Sequence, residues 1–234
     1  LITGWDIIYL WVARMIMAGL EFMGQVPFSD VALHVMIRDE KGRKMSKSLG
    51  NSPEPMMLID KYGADALRFG LLLITPREQD VLFTEKSIEV GRKFCNKLWN
   101  AARLISTNSK PAAKFDLVEL SIYDAWIQER FNGLLTKIQG YFATFEINAI
   151  TKELYDFVWH TFCDWYLEFS KIVPQGHAAP YMLQQICIIL HPFMPFISEE
   201  IYQRFNFGKK SIMLETWPAR LDIKQDVSYV DQII

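Results

Sequence analysis

The 234-residue sequence is poor in cysteine and lacks long apolar runs, and each shortage excludes a class of protein. Its three cysteines, Cys95, Cys163 and Cys187, are widely separated, so they form neither a metal-binding pair nor an even disulfide set. We therefore expect free thiols in a reducing cytoplasm and no bound metal. No apolar run reaches the roughly 20 residues that span a bilayer, so we expect a cytoplasmic chain with no membrane attachment.

The start of the sequence also lacks the features of a secretory signal. It begins at Leu1 without a methionine, a basic leader or a small-residue cleavage site. We interpret the chain as an excised fragment, and we expect it to be monomeric. Half of its residues are apolar and 14% are aromatic, which is enough to build a substantial core.

Positive charge is concentrated in one segment, although the net charge is only -2. Residues 85–110 carry six basic side chains against two glutamates. Such an excess is typical of a surface that meets a polyanion, although solvated cations around a helix give the same pattern. The candidates for contact with RNA recur at three- and four-residue steps: Arg92, Lys93, Asn96, Lys97, Asn100 and Arg103. Phe94 and Trp99 could stack on unpaired bases, with packing in a helical core as the alternative.

Apolar periodicity and turn residues predict a mostly α-helical chain with a domain boundary near residues 76–84. Before the boundary we predict a mostly buried helix over 5–22, a strand over 31–37, a polar loop over 38–52 and two helices separated by Gly63. After it we predict helices over 84–106, 120–141, 146–172 and 177–205, the last bent at its prolines, with a connector over 107–114. The predicted domains are residues 1–80, a remnant of an α/β domain, and residues 81–234, a helical bundle.

The most specific chemical signal is a basic string in the predicted loop: Lys44-Met45-Ser46-Lys47-Ser48, followed by Leu49-Gly50-Asn51. We call Lys44–Ser48 the signature loop. Two ammonium groups three residues apart can close over a phosphate chain and stabilise the charge that a leaving pyrophosphate gains in the transition state. The alternative is a solvated surface loop, which the ordered string and its Gly-Asn continuation disfavour.

The signature loop resembles the KMSKS signature of the class I aminoacyl-tRNA synthetases. Further segments resemble the same family in the same order along the chain: residues 3–8, 11–15, 61–68, 96–100, 164–168 and 191–200. The resemblance implies the end of a Rossmann-type catalytic domain, then an anticodon-binding helical bundle. Residues 6–8 and 11–15 are most similar to valine-specific members, and isoleucine-specific members are the alternative.

The resemblance implies a role for each matching residue. Lys44, Lys47, Ser46 and Ser48 would bind the phosphates of ATP, which carries Mg²⁺. The ribose would be held by Gly4 and Asp6, the adenine would lie near His34, and Trp11 would line the amino-acid pocket. Without the resemblance, Asp6 fits a first-turn helix acid, Trp11 fits core packing and His34 fits a strand end.

The whole protein that the resemblance implies activates valine with ATP and transfers it to tRNA(Val). The family's His-x-Gly-His motif is absent from the 234 residues, so we expect the isolated chain to be inactive in pyrophosphate exchange. A non-catalytic tRNA-binding module is the alternative from another functional class. It predicts salt-sensitive tRNA binding, no ATP binding and no effect of Lys47→Ala.

Overall fold

The computed structural model describes residues 1–75, 79–108, 120–172 and 178–232. Most of the predicted connector at 107–114 therefore lies outside the described residues. The chain divides into two compact units, and each is discontinuous in sequence. The strand unit comprises Leu1–Pro53 and Ile74–Glu85, and the helical unit comprises Glu54–Leu73 and Lys86–Ile234. The placement of the family domains at 1–80 and 81–234 stays a prediction.

Two short parallel strand pairs define the strand unit. Strand β1 (Ile2–Gly4) pairs with β2 (Ala32–His34), and β3 (Ile37–Arg38) pairs with β4 (Val81–Leu82). The predicted strand over 31–37 is therefore divided between two pairs. The division falls at Met36, whose backbone N–H donates to the Asp80 carboxylate at 2.9 Å instead of joining the first ladder.

A helical segment made of four consecutive parts follows β1. It begins with a 3-10 turn (Trp5–Ile7) and a π-helical turn (Ile8–Val12), continues as helix α1 (Ala13–Ala18) and ends with a second π-helical turn (Gly19–Met23). Val12 is buried, but Tyr9, Leu10, Met17 and Phe22 are each more than half exposed. The prediction of a mostly buried helix over 5–22 is therefore wrong about burial. Dense apolar residues bury only where another surface packs on them, and the described residues supply one for Val12.

Turn residues determine where the next helices begin and end. Helix α2 (Pro55–Tyr62) has proline in its first turn, where the missing N–H is not needed by the helix. Gly63 separates α2 from α3 (Ala64–Ile74) and adopts a φ of 92°, which favours glycine. Helix α4 (Glu85–Asn108) follows β4. These bounds agree with the predicted helices to within a few residues.

The remaining helices complete the helical unit. They are α5 (Ile122–Ala143), α6 (Ile147–Asp156), a π-helical segment (Phe157–Tyr166), α7 (Leu167–Ile172), α8 (Ala178–Leu190), α9 (Pro195–Phe205), a 3-10 turn (Ile212–Leu214) and α10 (Ser228–Asp231). The prediction of a single bent helix over 177–205 is wrong: α8 and α9 are separate, because Pro192 has no N–H with which to continue α8 and Pro195 opens α9.

One apolar core holds the helical unit together. Its fully buried members include Phe69 of α3, Phe94 of α4, Ile127 of α5 and Leu154 of α6. A buried hydrogen bond from the Tyr166 hydroxyl to Asp124 Oδ1, 2.7 Å long, joins the π-helical segment to α5. The prediction of a mostly α-helical fold is confirmed. None of the described helices is both long and apolar enough to cross a bilayer.

Candidate functional site

Strand pairing places the first candidate residues side by side. Gly4 ends β1 and lies in register with His34, which ends β2. A Cβ atom added to Gly4 would lie 2.7 Å from Oδ1 of Asp6, which is closer than real contacts allow. Glycine at this position therefore leaves room for the Asp6 carboxylate itself. The His34 ring contacts the Val35 carbonyl oxygen through Nδ1 at 3.1 Å.

The signature loop reaches this place through Lys44. Its Nζ lies 2.6 Å from Oδ2 of Asp6, although the two residues are 38 positions apart in sequence. An antiparallel bridge between Arg38 and Lys44 returns the backbone toward β3 and positions the lysine. The hydrogen bond from Lys44 lowers the pKa of Asp6 below its ordinary value, and the charges of Lys44 and His34 act in the same direction. The structure thus brings Gly4, Asp6, His34 and Lys44 together.

Asp39 and Asn51 organise the loop around the signature residues. Oδ1 of Asp39 accepts hydrogen bonds from the backbone N–H groups of Lys41 and Arg43, and its Oδ2 accepts from Arg43 Nε and from Asn51 Nδ2. Asp39 is only 9% exposed, and the hydrogen bond from Asn51 is the largest cause holding the pKa of its carboxyl far below the usual range.

The sequence prediction did not identify these two organising residues. Asp39 carries one available signal, because a side chain that accepts from the N–H two residues onward is a common turn arrangement. Asn51 belongs to the quoted continuation of the signature string, but spacing alone does not reveal which atoms its amide contacts.

Among the described residues, no hydrogen bond or ion pair joins the other predicted residues of the strand unit to the side chains of Asp6 and Lys44. Lys47 is exposed, and within the described ranges it makes no ion pair. The hydroxyl groups of Ser46 and Ser48 lie 3.2 Å apart, and the Leu49 N–H donates to Ser46 Oγ. Trp11 lies in the first π-helical turn with 45% of its surface exposed. It is therefore not a buried core residue here, and its place in an amino-acid pocket stays a prediction.

The six predicted RNA-contact residues differ in whether their side chains already contact other parts of the protein. Lys97 forms an ion pair of 2.6 Å with Asp164, and its Nζ lies over the Trp159 ring. Arg92 donates to the Lys61 carbonyl oxygen. Both side chains thus make contacts within the helical unit. Lys93, Asn96, Asn100 and Arg103 are exposed, as Arg92 is too, and these four lie along α4 at steps of three and four residues.

The aromatic residues of α4 have structural partners. Phe94 is fully buried and stacks on Phe69 with ring centroids 4.6 Å apart, so it belongs to the core. Trp99 is partly buried, and the Arg204 guanidinium lies 4.9 Å from its ring centroid. Packing therefore accounts for Phe94 and for much of Trp99.

The cysteines and possible metal ligands are separate from the candidate site. Cys95, Cys163 and Cys187 are free thiols, and burial raises the pKa of Cys95 and of Cys163 to about 12. Such thiols stay protonated at neutral pH and are poor nucleophiles. In the part of the chain that the structure describes, no three His, Cys, Asp or Glu side chains come close enough to hold a metal ion.

Two family models match the chain in succession. Residues 1–84 match "tRNA synthetases class I (I, L, M and V)", and residues 124–234 match "Anticodon-binding domain of tRNA ligase". The first match contains β1, β2 and the signature loop, and the second contains the helices from α5 onward. The order of the two matches agrees with the order that the sequence resemblance predicts.

Individual relatives give the same family. The chain is 43% identical over 232 residues to a valine–tRNA ligase of Bacillus subtilis, covering 94% of this chain and 26% of the relative. It is 41% identical over 226 residues to a valine–tRNA ligase of Pseudothermotoga lettingae, covering 93% and 26%. The chain therefore spans about a quarter of the length of the curated relatives it matches.

A solved structure shares the fold. The chain is similar to the LeuRS chain in a crystal structure of the ternary complex of Agrobacterium radiobacter K84 agnB2 LeuRS, tRNA and LeuAMS. The TM-score is 0.75 at 20% identity, over 94% of this chain and 28% of that chain. The two successive family matches and the relatives at 41–43% identity show that this chain belongs to the class I tRNA synthetases.

Proposed function

We propose that this chain is the part of a valine–tRNA ligase that closes over ATP and binds tRNA(Val). The ion pair between Asp6 and Lys44 carries the proposal. It joins two separately recognised segments, the ribose-binding segment and the signature loop, at one place beside Gly4 and His34. A solvated basic loop, the alternative from sequence, would have no reason to contact that segment.

The chemistry follows from the charges at this place. The carboxylate of Asp6, which lies against Gly4, can accept hydrogen bonds from ribose hydroxyl groups. In valine activation the amino-acid carboxylate attacks the α-phosphorus of ATP, and the bond to the leaving pyrophosphate breaks. Lys44 and Lys47 would stabilise the negative charge that collects on that pyrophosphate. Lys44 must leave Asp6 to do so, whereas exposed Lys47 needs no exchange of partner.

The residues present fit ATP that brings its own magnesium. The described part of the strand unit offers cations and hydroxyl groups for phosphates, and no carboxylate cluster for a protein-held metal. Mg²⁺ would supply charge neutralisation between the phosphate groups. Valine as the amino acid is supported by the names of the relatives, with isoleucine as the alternative specificity. A location in the cytoplasm belongs to the same proposal.

A transplant into a longer relative tests the activity. Residues 1–234 would replace the matching segment of the Bacillus subtilis valine–tRNA ligase, and valine-dependent pyrophosphate exchange would be measured. We expect exchange with valine in excess of exchange with isoleucine. Lys47→Ala should lower the exchange rate constant about 100-fold, because it removes a charge used in the transition state.

Lys41→Ala is the matched control for Lys47→Ala. Lys41 is an exposed lysine in the preceding turn, and its hydrogen bond to Asp39 comes from the backbone N–H, which alanine keeps. Its replacement should leave exchange unchanged. Equal rates for the Lys41→Ala and Lys47→Ala chimeras would contradict the role of the signature loop. Faster exchange with isoleucine than with valine would replace the proposed specificity.

A further inference from the structure

The Asn51 side chain links three parts of the loop. Its Oδ1 accepts a hydrogen bond of 2.9 Å from the Ser46 backbone N–H. Its Nδ2 donates to Oδ2 of Asp39 at 2.9 Å and to the Lys44 carbonyl oxygen at 3.2 Å. One carboxamide therefore contacts the turn before the signature loop, the first residue of the loop and its third residue.

The orientation of this amide is fixed by its neighbours. Both partners of Nδ2 are acceptors, and the partner of Oδ1 is a donor. Rotating the amide by half a turn would oppose acceptor to acceptor at two places and donor to donor at the third. Asn51 thus uses both of its N–H hydrogens and one lone pair of its oxygen, an arrangement that no other side chain of the same size provides.

Asp39 anchors this link to a preformed turn. The backbone hydrogen bonds Asp39 N–H to Arg43 O (2.9 Å) and Gly42 N–H to Asp39 O (2.8 Å) close the turn, and Gly42 adopts a φ of 76°. Arg43 adds an ion pair to the Asp39 carboxylate at 2.8 Å. These contacts hold the Asp39 carboxylate in place independently of Asn51. The hydrogen bond from Asn51 to this carboxylate therefore fixes the signature loop relative to the turn.

We propose that Asn51 is a positioning residue that, through Asp39, holds the backbone of the signature loop where the side chains of Lys44 and Lys47 can reach the phosphates. This proposal rests on the proposed function of those two lysines. Asn51 itself touches no reacting atom. It acts through the backbone at Lys44 and Ser46, the residues on either side of Met45, and the hydrogen bond from the Gly50 N–H to the Lys47 carbonyl oxygen closes the other half of the loop.

Limited proteolysis of the 234-residue chain measures loop order without any catalytic step. Trypsin can cut after Arg43, Lys44 and Lys47, and cutting requires the loop to open. Asn51→Ala removes three hydrogen bonds and should raise the cutting rate at these bonds about tenfold or more. Asn51→Asp has the same size but sets an oxygen against Asp39 and the Lys44 carbonyl, so it should raise the rate further than Asn51→Ala.

Ser52→Ala is the matched control for these variants. Ser52 is the exposed neighbour of Asn51, and its hydroxyl contacts the Pro53 carbonyl oxygen. Cutting after Arg14 in the strand unit and after Lys152 in the helical unit reports general unfolding. The proposal would be overturned if the Asn51 variants were cut in the loop no faster than Ser52→Ala. It would also be overturned if their cutting rates after Arg14 and Lys152 rose as much as those in the loop.

In an Asp39→Ala background the difference in cutting rate between Asn51→Asp and Asn51→Ala should shrink, because most of the repulsion is gone. A difference that persists in full would also overturn the proposal.

The chimera described above separates this proposal from the proposed function. There, Asn51→Ala should lower kcat for pyrophosphate exchange about tenfold while KM for ATP changes by less, because misplaced lysines lose contact chiefly with the transition state. If Lys47→Ala slows exchange but the Asn51 variants behave as Ser52→Ala, the positioning role fails and the proposed function stands. If the Asn51 variants open the loop but Lys47→Ala has no effect on exchange, the proposed function fails and the loop link remains.

Discussion

At the scale of single residues, the pair of Asp6 and Lys44 sets the electrostatics of the candidate site. The hydrogen bond from Lys44 is the largest cause that lowers the pKa of Asp6. A carboxyl with a lowered pKa in the folded state contributes stability above its ordinary pKa, and that contribution is lost as the pH falls through the lowered value. Asp6 should therefore remain a carboxylate throughout the neutral range, as its proposed contact with ribose hydroxyl groups requires.

Replacing Lys44 should change the titration of Asp6. With Lys44→Ala we expect the pKa of Asp6 to rise toward its ordinary value of 3.8, because the donor and its charge are both removed. Carboxyl ¹³C chemical shifts followed by NMR against pH would measure the change. Lys47→Ala is the control, since it removes the same charge from the same loop at a residue that is not among the causes acting on Asp6. An equal rise in both variants would show that the contact seen here is not specific.

At this scale the sequence predicts some residues of the candidate site and not others. The lysines of the signature loop and the Gly4–Asp6 segment could be found because their residue types in that order match a family pattern. The roles of Asp39 and Asn51 could not be found in the same way, because they depend on side-chain hydrogen bonds across 12 residues of loop. Loops have no periodicity from which the direction of a side chain can be inferred.

At the scale of elements, two glycines allow α3 and α4 to cross at close range. A Cβ at Gly70 would lie 2.5 Å from the Ser87 carbonyl oxygen, and a Cβ at Gly91 would clash with the Ala66 carbonyl oxygen. Each helix therefore presents a glycine to the backbone of the other. Backbone atoms cannot move away as a flexible side chain can, so the contact requires glycine on both sides.

Alanine at this crossing should be destabilising, although alanine normally favours a helix. We expect Gly91→Ala to lower the free energy of unfolding by about 1–3 kcal/mol through overpacking. Gly140→Ala is the matched control, because Gly140 lies in α5 with nothing within 4 Å of the added Cβ. It should raise the free energy of unfolding by about 0.5–1 kcal/mol. Urea unfolding of both variants would measure the two values. If both replacements changed the free energy of unfolding in the same direction, the close contact between α3 and α4 would be contradicted.

Side-chain hydrogen bonds also join α3 to the start of α9. Asp65 accepts hydrogen bonds from the backbone N–H groups of Phe196 (3.3 Å) and Ile197 (2.6 Å), which otherwise lack partners at a helix start. Arg68, one turn later on α3, donates to the carbonyl oxygens of Pro192 and Phe193. Residues of α3 thus form hydrogen bonds with both N–H and carbonyl groups of the backbone between α8 and α9.

Removing this remote cap should destabilise the helical unit. We expect Asp65→Ala to lower the free energy of unfolding by about 1–3 kcal/mol, because two part-buried backbone N–H groups lose their acceptor. Burial raises the pKa of Asp65, so the native chain holds this proton more strongly than the unfolded chain does. The stabilisation due to Asp65 should then fall as the pH rises through the range above 3.8.

Urea unfolding near pH 4 and near pH 7 would test both parts of the Asp65 prediction. The loss on Asp65→Ala should be larger at the lower pH. Asp60→Ala is the control, because Asp60 is an exposed carboxylate on the adjacent helix α2. If Asp65→Ala lowered the free energy of unfolding no more than Asp60→Ala does, the capping role would be refuted. If the loss on Asp65→Ala grew with pH, the pKa of Asp65 would be lowered by folding and not raised.

Element positions were more predictable than their burial. Pro55 and Gly63 mark the ends of α2 through backbone constraints that act locally, so the sequence locates them well. The segment from Trp5 to Met23 is helical as predicted, yet it leaves large apolar side chains exposed. Burial depends on the surface that packs against an element, and apolar periodicity carries no information about whether that surface is present.

At the scale of the whole molecule, contacts cut across the linear order of the chain. Helix α2 and most of α3 belong by contact to the helical unit, although they follow the signature loop directly and precede β4 of the strand unit. The sequence predicted a division near residue 80 because composition changes there. Composition is a local property, whereas a compact unit is defined by contacts between distant residues, such as Asn148 with the carbonyl oxygens of Leu72 and Leu73.

The charge of the helical unit leads to a prediction about RNA. Lys93 and Arg103 are exposed cations on α4, whereas Lys97 is neutralised by Asp164. Binding of tRNA(Val) by the chain should weaken as salt rises, because each phosphate contact releases a counterion. Lys93→Ala and Arg103→Ala should each lower the slope of log affinity against log salt by about one unit. Fluorescence anisotropy with labelled tRNA across a salt series would measure the slope.

Two controls make the tRNA prediction specific to the exposed part of α4. Lys152→Ala removes an exposed cation from α6, and we expect it to leave the slope unchanged. Lys97→Ala should change the slope less than Lys93→Ala does, because Lys97 must give up Asp164 and the Trp159 ring before it can meet a phosphate. If Lys152→Ala lowers the slope as much as Lys93→Ala does, binding follows overall charge and α4 is not the contact surface. If neither replacement on α4 alters the slope, RNA contacts the helical unit elsewhere.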